Sequence, residues 1–447
     1  MAITEKFEKF VKESLPTPFT IAVLLTFFTF FLALTTTDSI NNRNQVLNIL
    51  SYWEQGLWDS SLLVFAIQMM LMLVLGHTLA LSKPITKIIN MGVKYCNSTA
   101  NAAAIITFFT ILVSLLNWGL GLIFGAIFAR KVGEQASKKK IKLNYPLIGA
   151  SGYSGLMVWH GGISGSAPIK IAEEGHFLEN KIGIISQSET IFSNMNICVS
   201  VFLLIFLPTL MYYLGKNSTS NTIDLSLQEK KERIKITFAN KLDQSTFLSW
   251  CFGGTIIFYT FYKAIILPDI IALSIITPNY INLVLLGLAI IMHKNFFAFL
   301  KAIDNAISGA SGILIQFPLY FGIMGIMNHS GIVDKMSNFF VSISNEVTFP
   351  LFTFISAGIV NIFVPSGGGQ WAIQGPIIIE AATQLDVSIS KSVMALAYGD
   401  QLTNMLQPFW ALPLLAITGL QAKQILPYTL ILFFAGIFIF ISGLLIF

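Results

Sequence analysis

Charge is scarce in this sequence. Asp, Glu, Lys and Arg together make up 11% of its 447 residues, against about 25% in a soluble globular chain. Arginine stands only at positions 43, 130 and 233. The three cysteines, Cys96, Cys198 and Cys251, are isolated and show no CxxC spacing, which leaves no basis for a disulfide framework or a zinc site. A GxxxxGK[ST] loop is missing, which argues against a nucleotide-driven pump. Short alternating strands are missing too, so the pattern is not that of a membrane β-barrel. No nucleophile stands beside a convincing base. Ser164 and His160 share one broken segment and make a weak pair, so enzyme chemistry is not expected.

What the sequence holds in quantity is apolar residue. Hydrophobic types reach 54% and the mean hydropathy is +0.72. Many runs approach or exceed the ~20 residues that cross a bilayer as helix. The expected fold is an all-α polytopic membrane protein with the lipid bilayer as its surroundings. The net charge of +5 sits in connecting loops and therefore reports topology, not nucleic-acid binding. The first apolar run, Phe19 to Leu34, reads as a retained helix because no clear small-x-small cleavage site precedes Asp38. Residues 1–18, with "TEKFEKFVKE", read as a short amphipathic helix at the interface.

Lysine and arginine bias orients the spans. The loop 38–59 carries only Arg43 and is expected outside. The loop 83–100 carries Lys83, Lys87 and Lys94 and is expected inside. The next apolar run, 102–129, leads straight into "RKVGEQASKKKIK", the most basic stretch in the chain. One crossing would put that stretch outside. The run is interrupted by "NWG" at Asn117 to Gly119, and each arm falls short of a full span. A re-entrant hairpin over 102–129, entering and leaving on the cytoplasmic side, resolves the conflict. Residues 145–168 then run outward as an interrupted helix, 170–181 lie outside, and 183–214 return to a basic cytoplasmic linker, 215–245. The second half repeats the scheme upside down: 246–267 outward, 270–292 inward, 304–327 outward, a hairpin over 348–383 from outside, an interrupted helix over 391–420, and a last helix over 427–447. The reading is an inverted-topology repeat over 19–214 and 246–447 with two re-entrant hairpins and two interrupted transmembrane helices, as in many secondary transporters. It puts the N-terminus in the cytoplasm and the C-terminus outside.

Four segments are expected to break helix at membrane depth: "NWG" (117–119), "WHGGISGSAP" (159–168), "NIFVPSGGGQW" (361–371) and "YGDQLTNMLQP" (398–408). Such backbone is tolerated there only against protein or a water-filled cavity. Its free N–H groups suit an anion and its carbonyls a small cation. Arginine is absent from the spans and Lys263 lies away from the breaks, so neutral donors are left to hold an anion, and one negative charge suits them best. The substrate candidates are Asn117, Trp118, Gly119, His160, Ser164, Ser166, Ser366, Gly367, Gly368, Gly369, Gln370, Trp371 and Gln374. Trp159 and Trp410 are further surfaces for a short alkyl chain. Asp400, an intramembrane carboxylate, is the sharpest single residue. With Thr403, Asn404 and Asn361 it would bind a coupling Na⁺ or carry a proton. His160 can titrate near neutral pH. Glu189, Glu380 and His77 are weaker candidates. No organic cofactor is expected.

The stretches "NWGLGLIFGAIFAR", "YPLIGASGYSGLMVWHGGISGSAP", "NIFVPSGGGQWAIQGP" and "YGDQLTNMLQPFWALPLLAITG" resemble the short-chain fatty acid transporter family (AtoE-type), over nearly the whole chain. The resemblance implies a carrier in the bacterial inner membrane for acids such as acetoacetate or butyrate. It also implies grouping with ion-coupled organic-anion carriers, which have paired hairpins, often move by an elevator motion, and include dimers. The alternatives are a channel or facilitator for small anions, or a dicarboxylate carrier.

Overall fold

The computed structural model describes residues 17–36, 45–221, 238–268, 273–406 and 410–447. Residues 1–16 of the interfacial helix expected at 1–18, and residues 222–237 of the basic linker, lie outside the described residues. Among the described residues every regular element is helical, and one antiparallel bridge joins Leu143 to Asn221.

The first half opens with α1 (Pro18–Thr36), α2 (Gln45–Leu57), α3 (Ser60–Ala80) and α4 (Lys83–Val93). It continues with α5 (Thr99–Leu116), α6 (Trp118–Lys139), α7 (Tyr145–Tyr153) and α8 (Asn194–Lys216). The second half holds α9 (Thr246–Phe261), α10 (Pro278–His293), α11 (Phe296–Ile307), α12 (Ser311–His329) and α13 (Ile332–Ile343). It ends with α14 (Phe349–Phe363), α15 (Gly367–Gln384), α16 (Ile389–Thr403), α17 (Leu412–Thr418) and α18 (Ala422–Ile446). By length and composition α3, α5, α8, the continuous run from α11 to α12, and α18 suffice to cross a bilayer.

The pair α5–α6 is a helical hairpin. Asn117 is extended (φ −154°, ψ 123°) and ends α5 while capping α6, its Oδ1 accepting from Leu120 N at 2.7 Å. The two open ends lie together: Asn144 N donates to Thr99 Oγ1 at 3.0 Å, and Thr99 also bonds Ser220 beyond α8. Tyr145 Oη reaches Thr418 O at 3.0 Å, and His293 bonds Thr78 O. The basic segments after α3, α6, α8, α10 and α17 therefore gather toward one face. On the opposite face Gln187 Nε2 bonds Ile276 O, and Lys181 pairs with Glu380 at 3.3 Å.

Several boundaries differ from expectation for local reasons. Residues 45–57, expected in a loop, form α2, where Gly56 permits backbone contact: a Cβ there would lie 2.3 Å from Phe321 O and 2.9 Å from Gly325 Cα. The segment "RKVGEQASKK", also expected as loop, continues α6, because Glu134 pairs with Arg130 at i,i+4 and with Lys131 at i,i+3. Burial acts to raise the Glu134 carboxyl, but the hydrogen bonds from Lys131 and Arg130 prevail and hold it below its usual value. Hairpin arms of 18 and 22 residues result, longer than the sequence pattern indicated. In the second half the break shrinks to Val364–Ser366. The glycines 367–369 form the first turn of α15, whose N–H groups need no intrahelical partner. Asp400 likewise lies inside α16, which stays helical to Thr403.

The two halves share a packing device. The first hairpin arm rests against the interrupted helix through a glycine. A Cβ at Gly155, beyond α7, would lie 2.1 Å from Ser114 Oγ on α5. A Cβ at Gly399, in α16, would lie 2.1 Å from Phe354 O on α14.

Candidate functional site

The interrupted helix after α7 is the frame of the site. A 3₁₀ turn, Ser154–Met157, ends α7, and residues 158–166 follow without regular helix. Buried backbone without regular helix must find partners locally. Ile163 N donates to Leu115 O at 2.9 Å, and Trp118 N donates to Ser164 Oγ at 2.9 Å. Asn196 of α8 donates to Gly161 O and Ile191 O and accepts from Tyr398 Oη. The first hairpin tip and this loop are thereby fastened as one piece. Asn117 is committed to it by capping Leu120 and by a long bond to Met72 O.

His160 is held at three atoms. Its backbone N donates to Gln401 Oε1 at 2.8 Å. Its Nδ1 accepts from Ser166 N at 3.3 Å, so the ring proton belongs on Nε2, which donates to Asp400 Oδ1 at 3.0 Å. Both side chains are buried, at 2% and 1% exposure. Asp400 Oδ2 is buried with no hydrogen-bond partner among the described residues. The second hairpin tip lands on this pair: a Cβ at Gly367 would lie 2.1 Å from His160 Cε1 and 3.1 Å from Ser166 Oγ.

Three tryptophans wall the histidine. Trp118 stacks on Trp159 at 4.4 Å and 14°, Trp159 stacks on His160 at 4.5 Å, and Trp410 meets both indoles edge-on at 5.1 Å. The Nε1 atoms of Trp118 and Trp159 are buried without a hydrogen-bond acceptor among the described residues. Two indole N–H groups, one imidazole and one carboxylate thus belong to one buried cluster.

On the far side of Asp400 is a cluster of oxygens. Asn361 Nδ2 lies 2.7 Å from Asp400 O, 2.9 Å from Thr403 Oγ1 and 3.0 Å from Asn404 Oδ1. An amide nitrogen has two hydrogens, so it cannot bond all three at once. A half-turn of the amide, an orientation that heavy-atom positions do not fix, would put a fourth oxygen among them. Asp400 therefore joins two groups, His160 by its side chain and Asn361 by its carbonyl.

The remaining candidates lie elsewhere. Gly119 packs on the Leu73 backbone of α3. Ser366 caps Gly369 at 3.3 Å. Gly368 and Gly369 press on Phe317 and Tyr320 of α12. Gln370 donates to Ala357 O and Gln374 Oε1, and Trp371 packs near Phe177. Lys263 is exposed, and Glu189 accepts from Ser390 Oγ at 3.5 Å. Gln401 and Asn196, which hold the loop, escaped the sequence reading, although Gln401 adjoins Asp400 and Asn196 is a polar residue heading an apolar run. Among the described residues no group of three His, Cys, Asp or Glu side chains is placed to hold a metal ion.

Comparison with known proteins now bears on this geometry. The family model described as "Short chain fatty acid transporter" matches residues 1–447. A protein of Escherichia coli named "Putative short-chain fatty acid transporter" is 36% identical over 459 residues, covering 100% of this chain and 99% of its own. A Haemophilus influenzae protein of the same name is 38% identical over 446 residues, covering 96% of each. Among solved structures, the Alcanivorax borkumensis YdaH transporter, described as having an unusual topology, superposes with a TM-score of 0.62. It is 14% identical, with 95% of this chain and 98% of that one covered. Neisseria gonorrhoeae MtrF, described with a class of antimetabolite efflux pumps, gives a TM-score of 0.58 at 10% identity, covering 100% and 97%. At these identities the two structures speak for the fold alone.

Proposed function

We propose a transport mechanism from one premise: the chain belongs to the short-chain fatty acid transporter family. It is a membrane protein of that transporter family. The mechanism is secondary active transport of a small monocarboxylate, of the acetoacetate or butyrate kind, across the bacterial inner membrane, coupled to Na⁺ or H⁺. The observation that carries it is Asp400. One buried residue bonds His160, on which the Gly367 tip rests, with its carboxylate, and Asn361 of the Asn361–Thr403–Asn404 group with its carbonyl. Cation binding at the oxygens changes the field on the carboxylate a few ångströms away, and that linkage is what coupling requires.

The substrate's carboxylate meets the Trp118 and Trp159 N–H groups and the first-turn N–H groups of α15, and its alkyl part lies on the indoles. Asp400 and His160 hold the proton or balance the cation. The coincidence of the open ends of α5–α6 supports a re-entrant hairpin on the basic, cytoplasmic face. The matched tip caps, Asn117 and Ser366, and the matched glycines, Gly155 and Gly399, support an inverted repeat. Family likeness is the support for adding an elevator motion and a dimer to this reading.

The test is uptake of C2–C6 monocarboxylates by proteoliposomes under imposed Na⁺ or H⁺ gradients. Concentrative uptake that collapses with one gradient supports the carrier. Equilibration indifferent to both would replace it with a channel.

A further inference from the structure

Immediately after the Ser166 turn the chain buries a charge that belongs to neither site above. Lys170 is 2% exposed, although its place between apolar runs suggests a surface loop. Its Nζ lies 2.6 Å from Glu173 Oε2 and 3.2 Å from Gln68 Oε1 of α3. The Glu173 carboxylate in turn accepts from Gln68 Nε2 at 2.8 Å and 3.1 Å and from Asn279 Nδ2 of α10 at 3.2 Å. Gln68 itself is fixed by Asn282, which donates to its backbone carbonyl. One ammonium and two primary amides, from three separate elements, thus converge on a single carboxylate.

Two further observations place this cradle on a path. Glu173 lines a solvent-open cavity of about 580 Å³ together with Glu174, Lys263, Thr277 and Asn279, on the face opposite the basic segments. On its inner side the Lys170 ammonium lies 5.5 Å from the centre of the Phe65 ring. The edge of that same ring lies 3.1 Å from where a Cβ on Gly368 of the second hairpin tip would sit. One aromatic ring separates the cradle from the tip.

A buried ion pair is weak evidence for stability, because desolvation offsets its attraction and an apolar pair often serves as well. A carboxylate receptor between an open vestibule and a transport site has a use. Resting on the transport reading above, we propose that Lys170, Gln68 and Asn279 form a recognition site for the carboxylate of the incoming substrate, and that Glu173 occupies it in the absence of substrate. The incoming monocarboxylate exchanges with the Glu173 side chain, which swings into the vestibule. No bond or proton changes hands. The substrate then holds the one buried cation on this route before it passes Phe65 to the hairpin tip.

The test compares Lys170→Gln, Glu173→Gln and the double variant for butyrate uptake in proteoliposomes, with thermal melting of each purified protein. Removing the internal competitor should lower the butyrate KM of Glu173→Gln severalfold at little cost in maximal rate. Lys170→Gln and the double variant should each lose about tenfold or more in kcat/KM. A structural ion pair gives the opposite pattern: both single variants fall together, and the double variant recovers because no charge is left unpaired. That pattern overturns the proposal. The double variant carries no buried charge, so it decides the question even where Lys170→Gln fails to fold. Wild-type protein that takes up no butyrate under any gradient refutes the transport reading and this inference with it. Wild-type uptake with the structural pattern refutes this inference alone.

Discussion

Gly367→Ala adds one methyl group at the most crowded point of the site. A Cβ there would lie 2.1 Å from His160 Cε1 and 2.5 Å from Nε2, so the ring edge must retreat by about 1.3 Å to reach ordinary contact at 3.4 Å. His160 cannot retreat freely, being tied to Gln401, Ser166 and Asp400. The 3.0 Å bond to Asp400 is made by Nε2, one of the two crowded ring atoms. A hydrogen bond to a charged group contributes about 1.5–3 kcal/mol, or roughly 10- to 150-fold in an equilibrium constant. Overpacking of this size costs about 1–3 kcal/mol, against about 0.5–1 kcal/mol gained by replacing helical glycine with alanine. Net stability should therefore fall only modestly while coupled transport falls by at least tenfold. The assay is gradient-driven butyrate uptake beside a melting curve in detergent. Gly254→Ala on α9, where a Cβ would meet nothing within 4 Å, serves as control and should behave as wild type. Wild-type uptake and ion dependence in Gly367→Ala would show that the tip does not rest on His160 at any step that matters.

Asp400→Asn should abolish gradient-driven uptake with the fold intact, read by uptake and size-exclusion profile together. Thr403→Val removes one oxygen of the Asn361 cluster at constant shape; in a Na⁺-coupled carrier the Na⁺ concentration for half-maximal uptake should rise about tenfold. Ser164→Ala leaves the buried backbone N–H of Trp118 without its acceptor and should cost about 1–3 kcal/mol, seen as a lower melting temperature. Lys138→Cys, exposed at the end of α6, should react with an impermeant maleimide only in inside-out vesicles; labelling of intact cells would refute the hairpin's orientation.

The sequence made the helical class and the break at Asn117 legible because they rest on strong signals: apolar length and a polar, glycine-bearing interruption. It also singled out His160, Asp400, Asn361, Thr403 and Asn404, polar residues conspicuous in apolar surroundings. It misjudged where breaks end. Helix N-terminal turns tolerate glycine, so "SGGGQW" reads as loop while only Val364–Ser366 leaves the helix. It could not separate glycines that pack on backbone, such as Gly119 against Leu73, from those that meet polar side chains, such as Gly367 against His160, because they look alike without their neighbours. The burial of Lys170 was illegible for a related reason. Its partners Gln68 and Asn279 are about a hundred residues away in sequence or more, and a lysine between apolar runs looks like any loop lysine.

The aromatic wall has a further use. Three of the seven tryptophans of the chain stand in mutual contact, two of them stacked at 14° and one of these lying on His160. Stacked indoles couple their electronic transitions. A change in the packing of this cluster should therefore register in the near-ultraviolet circular dichroism of the native protein, above the signal of the other four tryptophans. The packing of the tryptophans can thus be followed by light from the unmodified chain, without a dye or an added label.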